Sequence, residues 1–236
     1  MTTVHTLSKL DTIHTVDQSG LEYFGCDQNW YTSKWQKMSG CGPSTASTLL
    51  LYLQKSGRID LPIHVLEQKD CALLMEDVWS HVNPTQNGIY LVEQFCAGIQ
   101  SFAHSHGFEL DCHSLDIPES IESRSGLADA VAFIIRGLAQ DCPIAFLNLS
   151  NGAVSNLEEW HWVTIVALET DADLATSENL LTDDRLDAGD HQAQVLVTIF
   201  DGDKSDTIDF KLWYQTTTDG GALIYLDTVK PEEPVL

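Results

Sequence analysis

The spacing of apolar and polar residues changes character partway along the chain. Before residue 140 the apolar side chains recur mostly every three or four positions, most clearly at 89–106 and 126–140, which predicts helices. After residue 143 the apolar runs are shorter and rich in β-branched residues, which predicts strands at 143–150, 161–169, 194–201 and 221–229. Helices followed by strands indicate an α+β fold rather than a doubly wound α/β sheet.

Two stretches lie outside this pattern. Residues 1–20 are polar and irregular, so we expect a surface arm ahead of one domain over 21–236. Within that domain the helical part covers about 41–140 and the β part about 143–229. Residues 169–190 carry eight acidic side chains and one arginine between two predicted strands, which predicts a long acidic insertion at a hairpin tip.

Charge and composition limit the classes of partner that the protein can bind. The 236 residues include 35 acidic and 12 basic side chains, a net charge of −23, which argues against nucleic acid and anionic membranes as partners. The N-terminus lacks the apolar core of a signal peptide, and no run of apolar residues is long enough to span a bilayer. We therefore expect a cytoplasmic protein whose six cysteines, none in a C-x-x-C motif, are reduced.

One cysteine lies in a position suited to chemistry. Cys41 is flanked by Gly40 and Gly42 and is followed by Pro43 and a helical run that ends near Gly57. Proline is favoured at the first helical position, so Cys41 falls at a helix N-terminus, where free N–H groups favour a thiolate. The two glycines leave room for another group to approach the backbone. This stretch fits a nucleophile, and it equally fits a buried cysteine at an ordinary helix start.

Two later strands offer a base and an acid. His161 opens the strand at 161–169, and Asp201 ends the next one. If these strands pair antiparallel, the start of the first lies beside the end of the second, and Asp201 can orient the imidazole. The alternatives are a core histidine bonded to a carbonyl and an ordinary Asp-Gly turn at Asp201 and Gly202.

The order of these motifs resembles that of a known family. The segments DQNWY, GCGPS, PIAFLNLS, WHWVTI and FDGD resemble papain-like cysteine peptidases, in particular the bacterial bacteriocin-processing-peptidase-like branch. The resemblance implies a helical half packed on an antiparallel β half, with the active site in the cleft between them. It implies that Cys41 is the nucleophile, His161 the base and then acid, and Asp201 the orienting group. Papain has asparagine in the third place, so Asp201 departs from that pattern.

The resemblance also implies a glutamine side chain as an oxyanion donor. Gln28 ends the segment FGCDQ much as the family glutamine ends its strand, whereas Gln36 is closer to Cys41 in sequence. We prefer Gln28 and keep Gln36 as the alternative. Residues expected to shape the cleft for substrate are Trp30, Gly40, Trp160 and Trp162, together with Tyr31 and Trp35.

The expected function is a thiol-dependent hydrolase that cleaves peptide or amide bonds through a thioester. The alternatives are an amidase or acyltransferase on the same fold and a non-catalytic papain-like binding module. No cofactor and no metal are expected, because His104, His106, Cys112 and His113 lack the spacing of a zinc site. The sequence leaves the substrate and the oligomeric state open.

Overall fold

A computed structural model describes residues 2–171 and 194–229 of the chain. The helices are α1 (Lys34–Ser39), α2 (Cys41–Ser56), α3 (Gln68–Trp79), α4 (Val92–Ser105), α5 (Leu127–Ala139) and α6 (Phe210–Thr216). The strands are β1 (Thr2–Thr6), β2 (His14–Val16), β3 (Glu22–Phe24), β4 (Leu110–Ile117), β5 (Ile144–Asn148), β6 (His161–Asp171), β7 (Val195–Asp201), β8 (Lys204–Asp209) and β9 (Gly221–Thr228). Most of the predicted acidic insertion, 172–190, lies outside the described residues.

Seven of these strands form one antiparallel sheet. Its order is β4-β9-β5-β6-β7-β8, and β1 pairs with the far end of β6, beyond the part that pairs with β5. Strands β2 and β3 form a separate two-stranded ribbon. The sheet and the helices together confirm the α+β class expected from the sequence.

Helices cover both faces of the sheet. On β5, Ile144 and Phe146 face a core built with α5 and α6, whereas Ala145 and Leu147 face a core built with α2, α3 and α4. Side chains alternate across a strand, so a strand that is buried throughout carries both cores. The expected division into a helical half and a β half is therefore wrong: α5 lies on the opposite face of the sheet from α2.

Local signals placed the end of α2 correctly and its start within two residues. It begins at Cys41, two residues before the predicted start, and ends at Ser56. Gly57 follows with φ of +82°, the left-handed conformation that glycine adopts readily and that closes many helices. The candidate nucleophile is therefore the first residue of the helix.

Three regions differ from the expected elements. Residues 2–6 are a strand hydrogen-bonded to β6, so the first twenty residues are not an irregular arm. The segment before Cys41, where no helix was predicted, contains α1, which Ser33 and Gln36 cap reciprocally. The short strand β8 was not predicted and pairs with β7 through the turn at Gly202.

One cysteine pair corrects the expectation of reduced thiols throughout. Cys96 on α4 and Cys112 on β4 form a disulfide, with their Cα atoms 5.8 Å apart. The helix and the strand that follows it pack against each other, which brings the two residues within the normal disulfide range. Cys26, Cys41, Cys71 and Cys142 are free thiols.

No helix within 2–171 and 194–229 is long and apolar enough to cross a lipid bilayer.

Candidate active site

Cys41 lies in a tight corner between two helices. A Cβ atom on Gly40 would overlap the carbonyl oxygen of Gln36 and the ring of Tyr31. Only glycine therefore allows α1 to end and α2 to begin within one residue. Gly40, expected to border the substrate, is buried and serves to place Cys41 at the first turn of α2.

A stripe of polar side chains continues from Cys41 along α2. Ser44, Thr45 and Thr48 follow it at helical spacing and line the same cavity, together with Gln28 and Thr164. Residues three, four and seven positions apart share one face of a helix. The stripe is buried although it is polar, and the sequence analysis overlooked it. The signal was present in STAST, where hydroxyl side chains occupy the positions of a buried helix face.

His161 and Asp201 are brought together by strand pairing. Thr164 of β6 lies opposite Phe200 of β7, so the start of β6 is beside the end of β7. His161 Nε2 lies 2.9 Å from Asp201 Oδ2, and the His161 side chain is only 10% exposed. The predicted juxtaposition of these two residues is confirmed. The contact leaves Nδ1 as the ring nitrogen available to Cys41.

The surroundings of His161 favour its charged form. Burial alone would lower the pKa of the imidazole, but the hydrogen bonds and charges of Asp201 and Cys41 outweigh it and raise the pKa to about 10. Opposite charges within a few ångströms stabilise the protonated ring. These contacts favour an imidazolium between the carboxylate of Asp201 and the sulfur of Cys41.

The predicted aromatic residues divide into two groups. Trp160 is 59% exposed and directly precedes His161 with a left-handed φ of +53°. Trp30 is half-buried and packs edge-on against Tyr23. Trp162 is 1% exposed, stacks on Phe95 and donates a hydrogen bond of 2.7 Å to the carbonyl of Ile89. Trp162 thus packs in the core and also lines the cavity that contains Cys41. Its expected contact with substrate stays a prediction.

The two candidate glutamines have different environments. Gln28 lines the cavity with Cys41, and among the described residues its buried Oε1 has no hydrogen-bond partner. Gln36 caps α1 with Ser33, and its Nε2 donates a 2.7 Å hydrogen bond to Glu76. Because Gln36 is occupied elsewhere, the geometry favours Gln28 as the amide beside Cys41.

Sequence reasoning also missed Asn148, a fully buried polar residue paired with His161 across β5 and β6. Its Nδ2 donates to the carbonyl of Glu158, and its Oδ1 accepts a 2.7 Å hydrogen bond from Trp213 Nε1. These contacts fix the loop that leads into His161. An asparagine inside an otherwise apolar strand, PIAFLN, was the signal that could have revealed it.

Two of the side chains considered for a metal are committed elsewhere. Cys112 is in a disulfide, and His106 Nε2 lies 3.0 Å from Asp77. Across the part of the chain that the structure describes, no group of three or more His, Cys, Asp or Glu side chains is arranged to hold a metal ion.

Comparisons of the chain with family models, with curated proteins and with solved structures found no match.

Proposed function

We propose that the protein is a papain-like, thiol-dependent hydrolase that cleaves peptide or amide bonds through a thioester on Cys41. The observation that carries the proposal is the 2.9 Å contact between His161 Nε2 and Asp201 Oδ2, with the ring lying against Cys41 at the first residue of α2. A nucleophile, a base and a group that orients the base are the parts such a reaction needs.

The acylation step uses the charged form of His161. The Cys41 thiolate attacks the carbonyl carbon, and the carbonyl oxygen becomes an oxyanion. The imidazolium then gives its proton to the leaving nitrogen as the C–N bond breaks, which releases an amine and leaves a thioester. Asp201 holds the ring in place and stabilises its charge before the proton is transferred.

The deacylation step uses the neutral ring that acylation leaves behind. His161 takes a proton from a water molecule, whose oxygen attacks the thioester carbonyl. The tetrahedral intermediate collapses with expulsion of the Cys41 thiolate, and a carboxylic acid leaves. The proton is now on His161, which restores the ion pair, so the two half-reactions balance without a cofactor.

Gln28 completes the site as an oxyanion donor. Its side-chain amide lines the cavity with Cys41, and the N–H groups of the first turn of α2 have no partner within the helix. Each donor aimed at a developing oxyanion lowers the activation barrier by roughly 3 kcal/mol. Further support comes from the packing of α2 against β6, the strand that carries His161.

Alkylation of Cys41 tests the ion pair directly. We expect iodoacetamide to modify Cys41 quickly even near pH 6, where ordinary thiols are protonated, and this fast reaction to disappear in His161→Ala. Cys26, Cys71 and Cys142 are buried and serve as internal controls. Slow labelling of Cys41 that does not change in His161→Ala would contradict the proposal.

Product analysis separates the possible acceptors. The protein is incubated with a peptide mixture, with and without hydroxylamine, and the products are identified by mass spectrometry. New carboxyl termini indicate hydrolysis, and hydroxamates that form only with Cys41 present indicate a thioester intermediate. An amine transfer product in preference to hydrolysis would favour the acyltransferase. Fast alkylation without any turnover would favour a binding module.

A further inference from the structure

Asp27 is a buried acidic residue that the mechanism above does not use. It is 8% exposed and directly precedes Gln28. Its Oδ1 accepts hydrogen bonds from the backbone N–H of Asn29 at 2.8 Å and from the Asn29 side chain at 2.9 Å. Asp27 thereby caps the short 3₁₀ turn Gln28–Trp30, and the first residue of that turn is the candidate oxyanion donor.

The same carboxylate packs against the turn that carries Asp201. A Cβ atom on Gly202 would lie 3.0 Å from Asp27 Cγ, and the N–H of Phe24 donates a 2.7 Å hydrogen bond to the Gly202 carbonyl. Asp201 and Asp203 are the charged groups that face Asp27 from this turn. Burial and these two carboxylates raise the pKa of Asp27. A buried acid beside two other carboxylates is unfavourable for stability, and acids in such surroundings are often found at functional sites.

The chain segment around Asp27 is also attached to α2. The N–H of Cys26 donates a 2.9 Å hydrogen bond to Thr48 Oγ1, and a Cβ atom on Gly25 would lie 2.7 Å from the Thr48 side chain. The segment thus bridges the helix that carries Cys41 and the turn that carries Asp201. Asp27 is the residue at which the bridge meets both the Gln28 turn and Gly202.

We infer that Asp27 is a positioning residue that holds the oxyanion donor Gln28 in register with the Asp201–Gly202 turn. The inference rests on the proposed function for its catalytic consequence. Asp27 affects the reaction through Gln28 and does not contact the substrate. Its two contacts hold the Gln28 turn and the His161–Asp201 pair in a fixed position relative to each other.

The first test is a double-mutant cycle. Asp27→Ala removes the cap and should lower kcat by about 10- to 100-fold with little change in KM, because the donor acts on the transition state. In a Gln28→Ala background the same change should have almost no further effect on kcat. Asp27→Asn keeps a good capping residue and should remain within about threefold of the wild type.

The second test does not depend on turnover. Hydrogen exchange of the Asn29 amide should accelerate in Asp27→Ala and stay slow in Asp27→Asn. It should also accelerate in Gly202→Ala, which pushes on Asp27. Gly88→Ala is the matched control, because Gly88 has a similar left-handed φ of +76° and no atom within 4 Å of an added Cβ.

The outcomes distinguish this inference from the proposed function. If the protein shows no hydrolase activity but the exchange of the Asn29 amide follows the expected order, the proposed function is refuted. The inference that Asp27 links the Gln28 turn to Gly202 is then still supported. An Asp27→Ala effect on kcat that is fully retained in the Gln28→Ala background overturns the inference. Asn29 exchange that is unchanged in Asp27→Ala and Gly202→Ala overturns it as well, and if Asp27→Ala does not fold, Gly202→Ala decides.

Discussion

Among the residues that the structure describes, two clusters combine a nucleophilic side chain, a histidine and an aspartate. The first is Cys41, His161 and Asp201. In the second, Ser105 Oγ lies 2.9 Å from His106 Nδ1, and His106 Nε2 lies 3.0 Å from Asp77 Oδ2. By residue type and spacing alone the second cluster would also count as a catalytic triad. Their surroundings show why only one of them is a candidate active site.

The difference lies in the helix end and in the remaining hydrogen bonds. Cys41 is the first residue of α2, where free N–H groups can stabilise an anion, whereas Ser105 is the last residue of α4, where free carbonyls oppose one. Ser105 Oγ already donates to the Phe102 carbonyl at 2.7 Å. Matching residue types therefore do not make a site unless the backbone also supplies donors for the oxyanion.

Replacing the two nucleophilic side chains gives the largest expected contrast. Cys41→Ala should reduce kcat by about 10⁵-fold or more, because loss of the nucleophile leaves only residual catalysis. Ser105→Ala should leave kcat within about twofold, since Ser105 lies at the wrong end of a helix. Initial rates on a cleaved peptide measure both. Activity that survives in Cys41→Ala and falls in Ser105→Ala would reverse the assignment of the two clusters.

Replacing the two histidines should give the second largest contrast. His161→Ala removes the proton donor and acceptor and should reduce kcat by about 10³- to 10⁴-fold. His106→Ala removes a ring that packs 4.3 Å from Phe102, so it should affect stability rather than rate. Steady-state kinetics and thermal unfolding of both variants separate these effects. Equal losses of kcat would show that the assay reports folding and not chemistry.

The two glutamines extend the contrast to the oxyanion donor. Gln28→Ala should lower kcat by about 10²-fold, with KM nearly unchanged, because the amide acts when charge develops on the oxygen. Gln36→Ala removes a cap of α1 and should cost about 1 kcal/mol of stability with kcat within about twofold. Steady-state kinetics measure the effect on kcat, and urea unfolding measures the effect on stability. A larger loss of kcat in Gln36→Ala would move the oxyanion site to α1.

The sequence predicts those parts of the site that depend on local signals. Pro43 and Gly57 indicate the two ends of α2, His161 opens one β-branched apolar run and Asp201 closes the next, so Cys41, His161 and Asp201 could be proposed together. What sequence could not supply were contacts between distant segments. β1 pairs with β6 more than 160 residues away, and nothing in TTVHT specifies that partner.

The same limit applies to contacts within the site. Trp162 is buried because Phe95 and Ile89, which precede it by more than 60 residues in the chain, pack against it, and no local pattern shows this. Gln36 is occupied because Glu76 of α3 lies opposite α1. The link between Asp27 and Gly202 likewise joins segments that are remote in sequence. Residue types indicate the chemistry, and long-range packing decides which of them are free to perform it.

The pH dependence of the free energy of unfolding is the smallest expected effect, and it tests the charge on His161 without a substrate. The folded state raises the pKa of His161 from 6.5 to about 10. Below pH 6.5 both folded and unfolded states bind the proton, and the stabilisation is fully present. Between pH 6.5 and 10 the folded state alone binds it, so the free energy of unfolding should fall by a few kcal/mol as pH rises.

Variants separate this contribution from other groups that titrate in the same range. Asp201→Asn removes the hydrogen bond and charge that raise the pKa most, so the difference from wild type should be large near pH 6.5 and shrink toward pH 10. Cys41→Ser removes the lesser contribution of the sulfur and should give a smaller difference in the same window. Urea unfolding at pH 6, 8 and 10 measures these differences. Parallel curves for Asp201→Asn and wild type would mean that Asp201 does not raise the pKa of His161, which would remove its proposed role in stabilising the charged ring.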